Sequence, residues 1–471
     1  MTALDFICLA PFLLLASAPI IIMLTITITR NIKVVYGFSL LMFLLSFISL
    51  FIVAPYIPHV IAPLFIIDSY SLLFLAIIIF AGLLITILSF IYLSHQGDDK
   101  EEYFIILFVA TLGASVLVVA NHFISFFLGL ETLSISLYIL VAYIKTRSYS
   151  IEAGVKFLVI ASVASAFLLF GMGLIYTVTG SMNFKGVASA LGSLHDLSSI
   201  LLTGFVMLLV GIGFKLALVP FHMWLPDVYQ GAPAPVTALI ATISKGAVLA
   251  IALRFFMDIQ GFNNQAIFIA LSAIAIISMF TGNLLALNQG SLKRMLAYSS
   301  IAHFGYLLIT LLAGSTEGIH SAIFYIASYT ITTLGAFGII SLLSVCSGDA
   351  DNIDDYKGLF YKNPFVAIVM SLAMLSLAGI PLTAGFIAKF YLVLAGVKSG
   401  LWLLAFGLVI NSVISLYYYL RIVTTMFTTS DQVKPSTIPL MGNLVLVIIV
   451  IGILFLGILP AWVSDIIASL S

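Results

Sequence analysis

Apolar runs of about twenty residues follow one another along nearly the whole chain, parted by short polar stretches. A helix rises ~1.5 Å per residue and a bilayer's hydrocarbon core is ~30 Å thick, so each run is long enough to span. The runs near 6–28, 34–54, 70–93, 103–120, 122–143, 152–178 and 199–219 predict seven helices. Those near 234–257, 265–287, 296–313, 319–345, 364–394, 402–428 and 438–459 predict seven more. The runs are continuous, not alternating ten-residue segments, which selects helices over a barrel. The expected architecture is an all-α polytopic membrane protein of about fourteen transmembrane helices.

Composition sharpens this picture. Of 471 residues, 63% are apolar and only 8% are charged, against roughly 25% charged in a soluble domain. Eighteen basic and eighteen acidic side chains cancel, which excludes a polybasic nucleic-acid surface. Cys8 and Cys346 lie far apart in apolar runs, so they cannot build a disulfide framework, a zinc site or an iron–sulfur cluster.

The cations of the connections are one-sided. Arg30, Lys33, Lys100, Lys145, Arg147, Lys293, Arg294, Lys357, Lys362 and Lys434 fall in odd-numbered connections. Only Lys185 and Lys398 fall in even ones. The positive-inside rule then sets the odd connections in the cytoplasm and both termini outside. Asp5 stands where a signal peptide would carry a basic residue. No connection is long enough for a soluble catalytic domain, so the chemistry belongs in the membrane or in a partner.

A few charges fall inside the predicted spans. Glu131 lies in the fifth helix, Lys215 in the seventh, Lys245 at the centre of the eighth and Lys389 in the twelfth. Each central ionisable group costs about 2.5–3.5 kcal/mol, so four cost on the order of 10–14 kcal/mol unless paired. Lysines near a helix end escape that cost by stretching to the interface. Lys215, about five residues from Pro220, is within such reach, and Lys156 near the start of the sixth helix more so. Lys245 is ten or more residues from either end, about 15 Å, and is not. Glu131 is too short to snorkel. His303, in the tenth helix, reads equally as a core histidine or a proton relay, while Arg254 and Arg421 near helix ends read as anchors. Isolated carboxylates and ammoniums in an apolar bundle suit ion or proton transfer. A lysine's grip on its proton changes with desolvation and with the distance of a neighbouring carboxylate.

Two helices carry breaks beside these lysines. Four prolines, at 220, 226, 233 and 235, follow Lys215, and Gly379-Ile380-Pro381 precedes Lys389. Proline removes a helical hydrogen bond and frees carbonyls that protein or water must satisfy. Discontinuous helices near buried charges mark ion pathways in transporters. The breaks at Pro220 and Pro381 fall in helices seven and twelve, and an offset of five reverses direction across the membrane. The expected organisation is therefore helices 1–3 over 1–100 and a first repeat, helices 4–8, over 101–260. A second, inverted repeat, helices 9–13, follows over 261–430, and helix 14 over 431–471.

Residues 220–247, PFHMWLPDVYQGAPAPVTALIATISKGA, resemble the antiporter-like subunits of respiratory complex I, NADH:quinone oxidoreductase. Within that family, Trp224 to Pro233, WLPDVYQGAP, is similar to the subunit N branch, where subunits L and M tend to read WLPDAH-x-EAP. NQGSLKRMLAYSSIAHFGYLL (288–308), GIPLTAGFIAKFY (379–391) and YYYLRIV (417–423) extend the resemblance over about 70–428. It implies two inverted five-helix repeats and a proton-translocating role in the membrane arm. By position it assigns the family's charges to Glu131, Lys156, Lys215, Lys245 and Lys389. Glu131–Lys215 is then the coupling pair, Lys245 the central relay and Lys389 the gate to the exit side, with Lys156 and His303 linking them through water. No cofactor or metal is expected on this chain. NAD(H), FMN, iron–sulfur clusters and quinone belong to partner subunits, and the partners are other membrane-arm subunits and the lipid bilayer, with quinone met only indirectly. The expected location is a bacterial inner membrane. The alternative is a subunit of a multisubunit cation/proton antiporter or a membrane-bound hydrogenase of the same fold.

Overall fold

The computed structural model describes residues 2–94, 100–192, 198–259, 264–347, 350–429 and 438–470. Lys434 and the side chain of Cys346 lie outside the described residues. A short helix α1 (Ala3–Cys8) leads into α2 (Ala10–Ile28) and α3 (Ile32–Val53). The hairpin β1 (His59–Ile61) and β2 (Phe65–Ile67) follows, its strands antiparallel with Val60 opposite Ile66. Then come α4 (Ser69–Leu93), α5 (Glu102–Val119), α6 (Phe123–Val141), α7 (Ser148–Thr179), the short α8 (Phe184–Gly192) and α9 (Ser199–Leu216). Two short helices, α10 (Trp224–Gly231) and α11 (Ala234–Leu239), precede α12 (Lys245–Asp258). The rest comprises α13 (Gln265–Leu287), α14 (Leu292–Ala313), α15 (Thr316–Ser347), α16 (Leu359–Lys362), α17 (Pro364–Ala378), α18 (Ala384–Lys398), α19 (Trp402–Phe427), α20 (Leu440–Ile458) and α21 (Pro460–Leu470).

Among the described residues, thirteen helices are long and apolar enough to cross a bilayer. One of them is the α11–α12 span, joined by a turn of π-helix over Ile240–Ser244. The twelfth predicted run is two fifteen-residue halves, α17 and α18, on either side of the expected break. Two expectations need correction. The first run is split at Leu9 into α1 and α2. The tenth helix begins at Leu292, so Lys293 and Arg294 belong to the first turn of α14 and not to a connection. The cause is local: Ser291 Oγ accepts the Arg294 N–H as an N-cap and starts the helix a turn early.

Burial ranks the helices. The α11–α12 span and α14 are buried all round and α15 nearly so, whereas α2, α7 and α20 expose most of their surface. A helix apolar on every side belongs at the centre of a bundle, and these three form it. Glycines let neighbours close up. A β-carbon on Gly171 of α7 would lie 2.7 Å from the Gly204 carbonyl oxygen of α9, the small-residue contact typical of helices in lipid.

Both breaks close with the same geometry. After α9, Ala217 turns left-handed (φ 58°) and the Leu218 N–H reaches the Gly213 carbonyl at 2.8 Å. After α17, Gly379 turns left-handed (φ 86°) and the Ile380 N–H reaches the Leu375 carbonyl at 3.0 Å. This is the Schellman closure of a helix end, in which the last carbonyls find partners inside the chain. The seventh helix therefore stops four residues before Pro220. Proline keeps the chain from resuming as a helix; the left-handed Ala217 ends it.

Candidate functional site

Glu131 and Ser134 lie three residues apart on α6 and so share a face. The Glu131 carboxylate accepts the Ser165 hydroxyl of α7 at 2.5 Å. The Lys215 ammonium of α9 is buried and donates to the Ser134 hydroxyl at 2.6 Å. Among the described residues no ion pair joins Glu131 to Lys215. The carboxylate and the ammonium stand on separate hydroxyls, Ser165 of α7 and Ser134 of α6. Beside them Trp224 stacks between Phe157 (4.6 Å) and Phe214 (5.2 Å). Its indole N–H donates at 3.1 Å to the Phe214 carbonyl, which also accepts the Ala217 N–H of the closing turn at 2.9 Å.

Lys245 heads α12 directly after the π-helical turn. That turn re-aims the side chain by inserting a residue into the helical ladder. Lys245 is wholly buried. Its ammonium donates to Ser300 of α14 at 2.7 Å and faces the ring of Phe304 at 4.8 Å and of Tyr229 at 5.9 Å. Ser300 in turn accepts from the Tyr329 hydroxyl of α15 at 2.9 Å. One turn along α14, His303 has a partner on each ring nitrogen: Nδ1 meets the Tyr325 hydroxyl at 2.6 Å and Nε2 the Tyr419 hydroxyl at 3.2 Å. Tyr419 is also bonded to Ser299.

Lys389 on α18 lies back across the second break and donates to the Ala378 carbonyl at 2.9 Å. Gly379 makes room: a β-carbon there would sit 3.0 Å from the Lys389 side chain. Between His303 and Lys389 is a cavity of about 10 Å³, lined also by Tyr325, Tyr329, Ser376 and Gly385. That is about one water's worth of space among polar groups. Lys245, His303 and Lys389 thus share one polar run through the buried middle of the bundle.

Lys156 is not part of that run. It is half-exposed on α7, paired with Glu152 at 2.7 Å and 3.6 Å from Asp227. These groups line an open cavity of about 470 Å³ with Gln230 and Asp351. Arg294 donates to Asp227 at 2.7 Å and to Gln230 at 3.2 Å. Gln230 donates to Asp351 at 3.0 Å. Of the two arginines near helix ends, Arg254 grips Asp68 through two bonds of 2.8 and 2.9 Å, and Arg421 donates to the Gln289 carbonyl.

Sequence reasoning passed over several residues. Tyr325, Ser328, Tyr329 and Thr332 follow the helical i, i+3, i+4, i+7 spacing on α15, a polar stripe that was readable in the chain. Asn283 and Asn411 are wholly buried and joined at 3.1 Å; Asn283 also donates to Tyr306 and accepts from Tyr418. His222, between the first break and α10, is buried. Among the described residues no group of three or more His, Cys, Asp or Glu side chains is placed to hold a metal ion.

A bundle with two Schellman-closed breaks, each next to a buried lysine, and a polar run between them defines an antiporter-like membrane subunit. The chain belongs to the NADH:quinone oxidoreductase/Mrp antiporter transmembrane family, whose sequence profile matches residues 120–415. NADH-quinone oxidoreductase subunit N of Methylococcus capsulatus is 41% identical to it over 464 residues, covering 97% of this chain and 93% of that protein. Among solved structures, a chain of respiratory complex I from Thermus thermophilus with bound aureothin superimposes with a TM-score of 0.84 at 30% identity. The match covers 97% of this chain and 98% of that one. A chain of the archaeal membrane-bound sulfane sulfur reductase (TM-score 0.87, 24% identity, 99% and 96% covered) shares the fold. So does a chain of the Mrp complex from Dietzia sp. DQ12-45-1b (TM-score 0.87, 19% identity, 100% and 98% covered).

Proposed function

We propose that this chain is a proton-translocating subunit of the membrane arm of a NADH:quinone oxidoreductase. The observation that carries the reading is the polar run from Lys245 through Ser300 to Tyr329, whose ring lies 5.3 Å from that of His303, both lining the small cavity at Lys389. Ser300, Tyr329 and His303 can each give and accept a proton, and all three lie where the bundle excludes bulk water. Four groups that cost about 2.5–3.5 kcal/mol each to bury are kept where a transfer chain needs them.

In this reading Glu131 and Lys215 are the coupling pair. Ser134 and Ser165 hold them apart, so a change in their separation alters the field at Lys245. Closing the pair would hold a proton more firmly on Lys215; opening it would release that hold. Lys245 relays the proton, His303 passes it on, and Lys389, latched to the Ala378 carbonyl, gates its release. Lys156 acts on the cytoplasmic surface, beside the Asp227 cavity. The matching closures after α9 and α17 support two inverted repeats, over 101–260 and 261–430. The one-sided cations set the odd connections in the cytoplasm and both termini outside, in a bacterial inner membrane. Electron carriers, NAD(H), FMN, iron–sulfur clusters and quinone, belong to partner subunits. The subunit N relative, alike over nearly the full length, favours this assignment over a cation/proton antiporter or a hydrogenase.

The test is Lys245→Ala in the assembled complex, reading proton uptake into inverted membrane vesicles alongside quinone reduction. Pumping falls by ~10²-fold or more, the usual contribution of a positioned proton-transfer group. Pumping unchanged in complex of normal abundance overturns the relay.

A further inference from the structure

Lys293 is the buried lysine that the pathway above leaves unused. It lies in the first turn of α14, is 1% exposed, and donates to the Ala232 carbonyl at 3.1 Å. Ala232 joins α10 to α11, next to Gly231, which lines the 470 Å³ cavity. Asp351, on the cavity wall, accepts the Ser291 hydroxyl at 2.7 Å and the backbone N–H of Lys293 at 3.4 Å. The Lys293 ammonium therefore sits just beneath the floor of an open, charge-lined cavity.

On its other side lies the central lysine. Ser300, the partner of Lys245, is seven residues further along α14. Seven residues are two turns, so Lys293 and Ser300 share one face about 10.5 Å apart. Ala297, a bare methyl, stands between them on that face. The Tyr229 ring, on α10, reaches Lys245 at 5.9 Å.

We propose that Lys293 is the proton-uptake residue of the first half, carrying protons from the Asp227–Asp351 cavity toward Lys245. The inference rests on the proton-translocating reading above. In the step, an N–H bond of the Lys293 ammonium breaks and its proton passes, through water bridging the gap beside Ala297 and then the Ser300 hydroxyl, to the unprotonated Lys245 amine. There a new N–H bond forms. The lone pair left on Lys293 then takes a proton from the cavity. Nothing is oxidised or reduced.

Two substitutions separate transfer from a structural latch. Lys293→Arg keeps the charge and a donor for the Ala232 carbonyl, but a guanidinium does not release its proton in proteins. Lys293→Gln keeps a donor without charge. Both are measured in the whole complex, as protons pumped per quinone reduced in vesicles, across a range of cytoplasmic-side pH, beside Lys245→Ala. The expected result is loss of at least ~10-fold in pumping for both variants, the lower end of a proton-transfer contribution. Pumping by Lys293→Gln should recover partly as cytoplasmic pH falls, because water then supplies protons directly. Normal pumping by either assembled variant overturns the uptake role. If Lys245→Ala is dead while Lys293→Arg pumps normally, this inference fails and the relay stands. If all three pump normally, both fall.

Discussion

Arg254 ties the helix that carries Lys245 to the start of α4. It lies nine residues beyond Lys245, about 13.5 Å along α12. Its guanidinium bonds both Asp68 oxygens, at 2.8 and 2.9 Å, and rests over the Tyr70 ring at 4.9 Å. The Tyr70 hydroxyl returns to α12 at the Ala250 carbonyl. The arginine side chain is 8% exposed and that of Asp68 25%. Arg254→Met deletes both charge-assisted bonds and strands a carboxylate that is three-quarters buried. Removing one partner of a buried pair costs about 3–5 kcal/mol. Asp68 still caps α4 through the Ser71 N–H and keeps some water, so the low end applies, about 3 kcal/mol. At 1.4 kcal/mol per decade that is roughly a hundredfold more unfolded subunit. The assay is thermal inactivation and loss of this subunit from the solubilised complex. A double-mutant cycle completes it: Asp68→Asn with Arg254→Met leaves no stranded charge and recovers most of the loss. A single Arg254→Met variant within about 1 kcal/mol of the parent would refute the argument, since surface pairs contribute no more than that.

Two further outcomes follow from close contacts at the ends of the fold. A β-carbon on Gly385 would stand 1.8 Å from the Ser376 carbonyl oxygen, where backbone itself must move. Gly385→Ala should therefore abolish assembled subunit, read by immunoblot of the purified complex, and normal abundance would contradict the packing described for the second break. At the other end, the hydrogen bond from His59 (2.7 Å), followed by that from the Thr2 N–H, holds the Asp5 carboxyl below its ordinary 3.8. A depressed carboxyl stabilises its fold above the unfolded value and loses that contribution as pH falls through the folded one. The amide-exchange protection factors over Ala3–Cys8, with the intrinsic pH dependence divided out, should thus be flat from neutral pH down to about 4 and fall below it. Asp5→Asn should remove the dependence, and a transition near neutral pH would exclude Asp5 as its source.

The legible part of the site was legible for one reason. In lipid a charge is expensive, so Glu131, Lys215, Lys245 and Lys389 stand out of apolar runs without any knowledge of their neighbours. Both breaks were equally plain, because proline and glycine punctuate helices locally. Lys293 was hidden by a boundary. Hydropathy starts the tenth helix at 296, but the Ser291 cap starts it at Leu292 and draws a loop cation into the core. Lys156, which the sequence placed near enough to a helix end to reach the interface, is turned outward by α7 to Glu152.

The chain by itself determined that this is a bundle of spanning helices and which of its charges are anomalous. Those properties depend on hydropathy and spacing, which are local and one-dimensional. Tertiary structure alone decided which hydroxyl stands between which charges. Ser134 meets Lys215 across 81 residues, Ser300 meets Lys245 across 55, and Tyr419 meets His303 across 116. A serine or tyrosine in an apolar helix is cheap enough to occur anywhere, so nothing local marks the few that meet these buried charges. Their role comes from the helix packed opposite, and that pairing is set by the whole bundle.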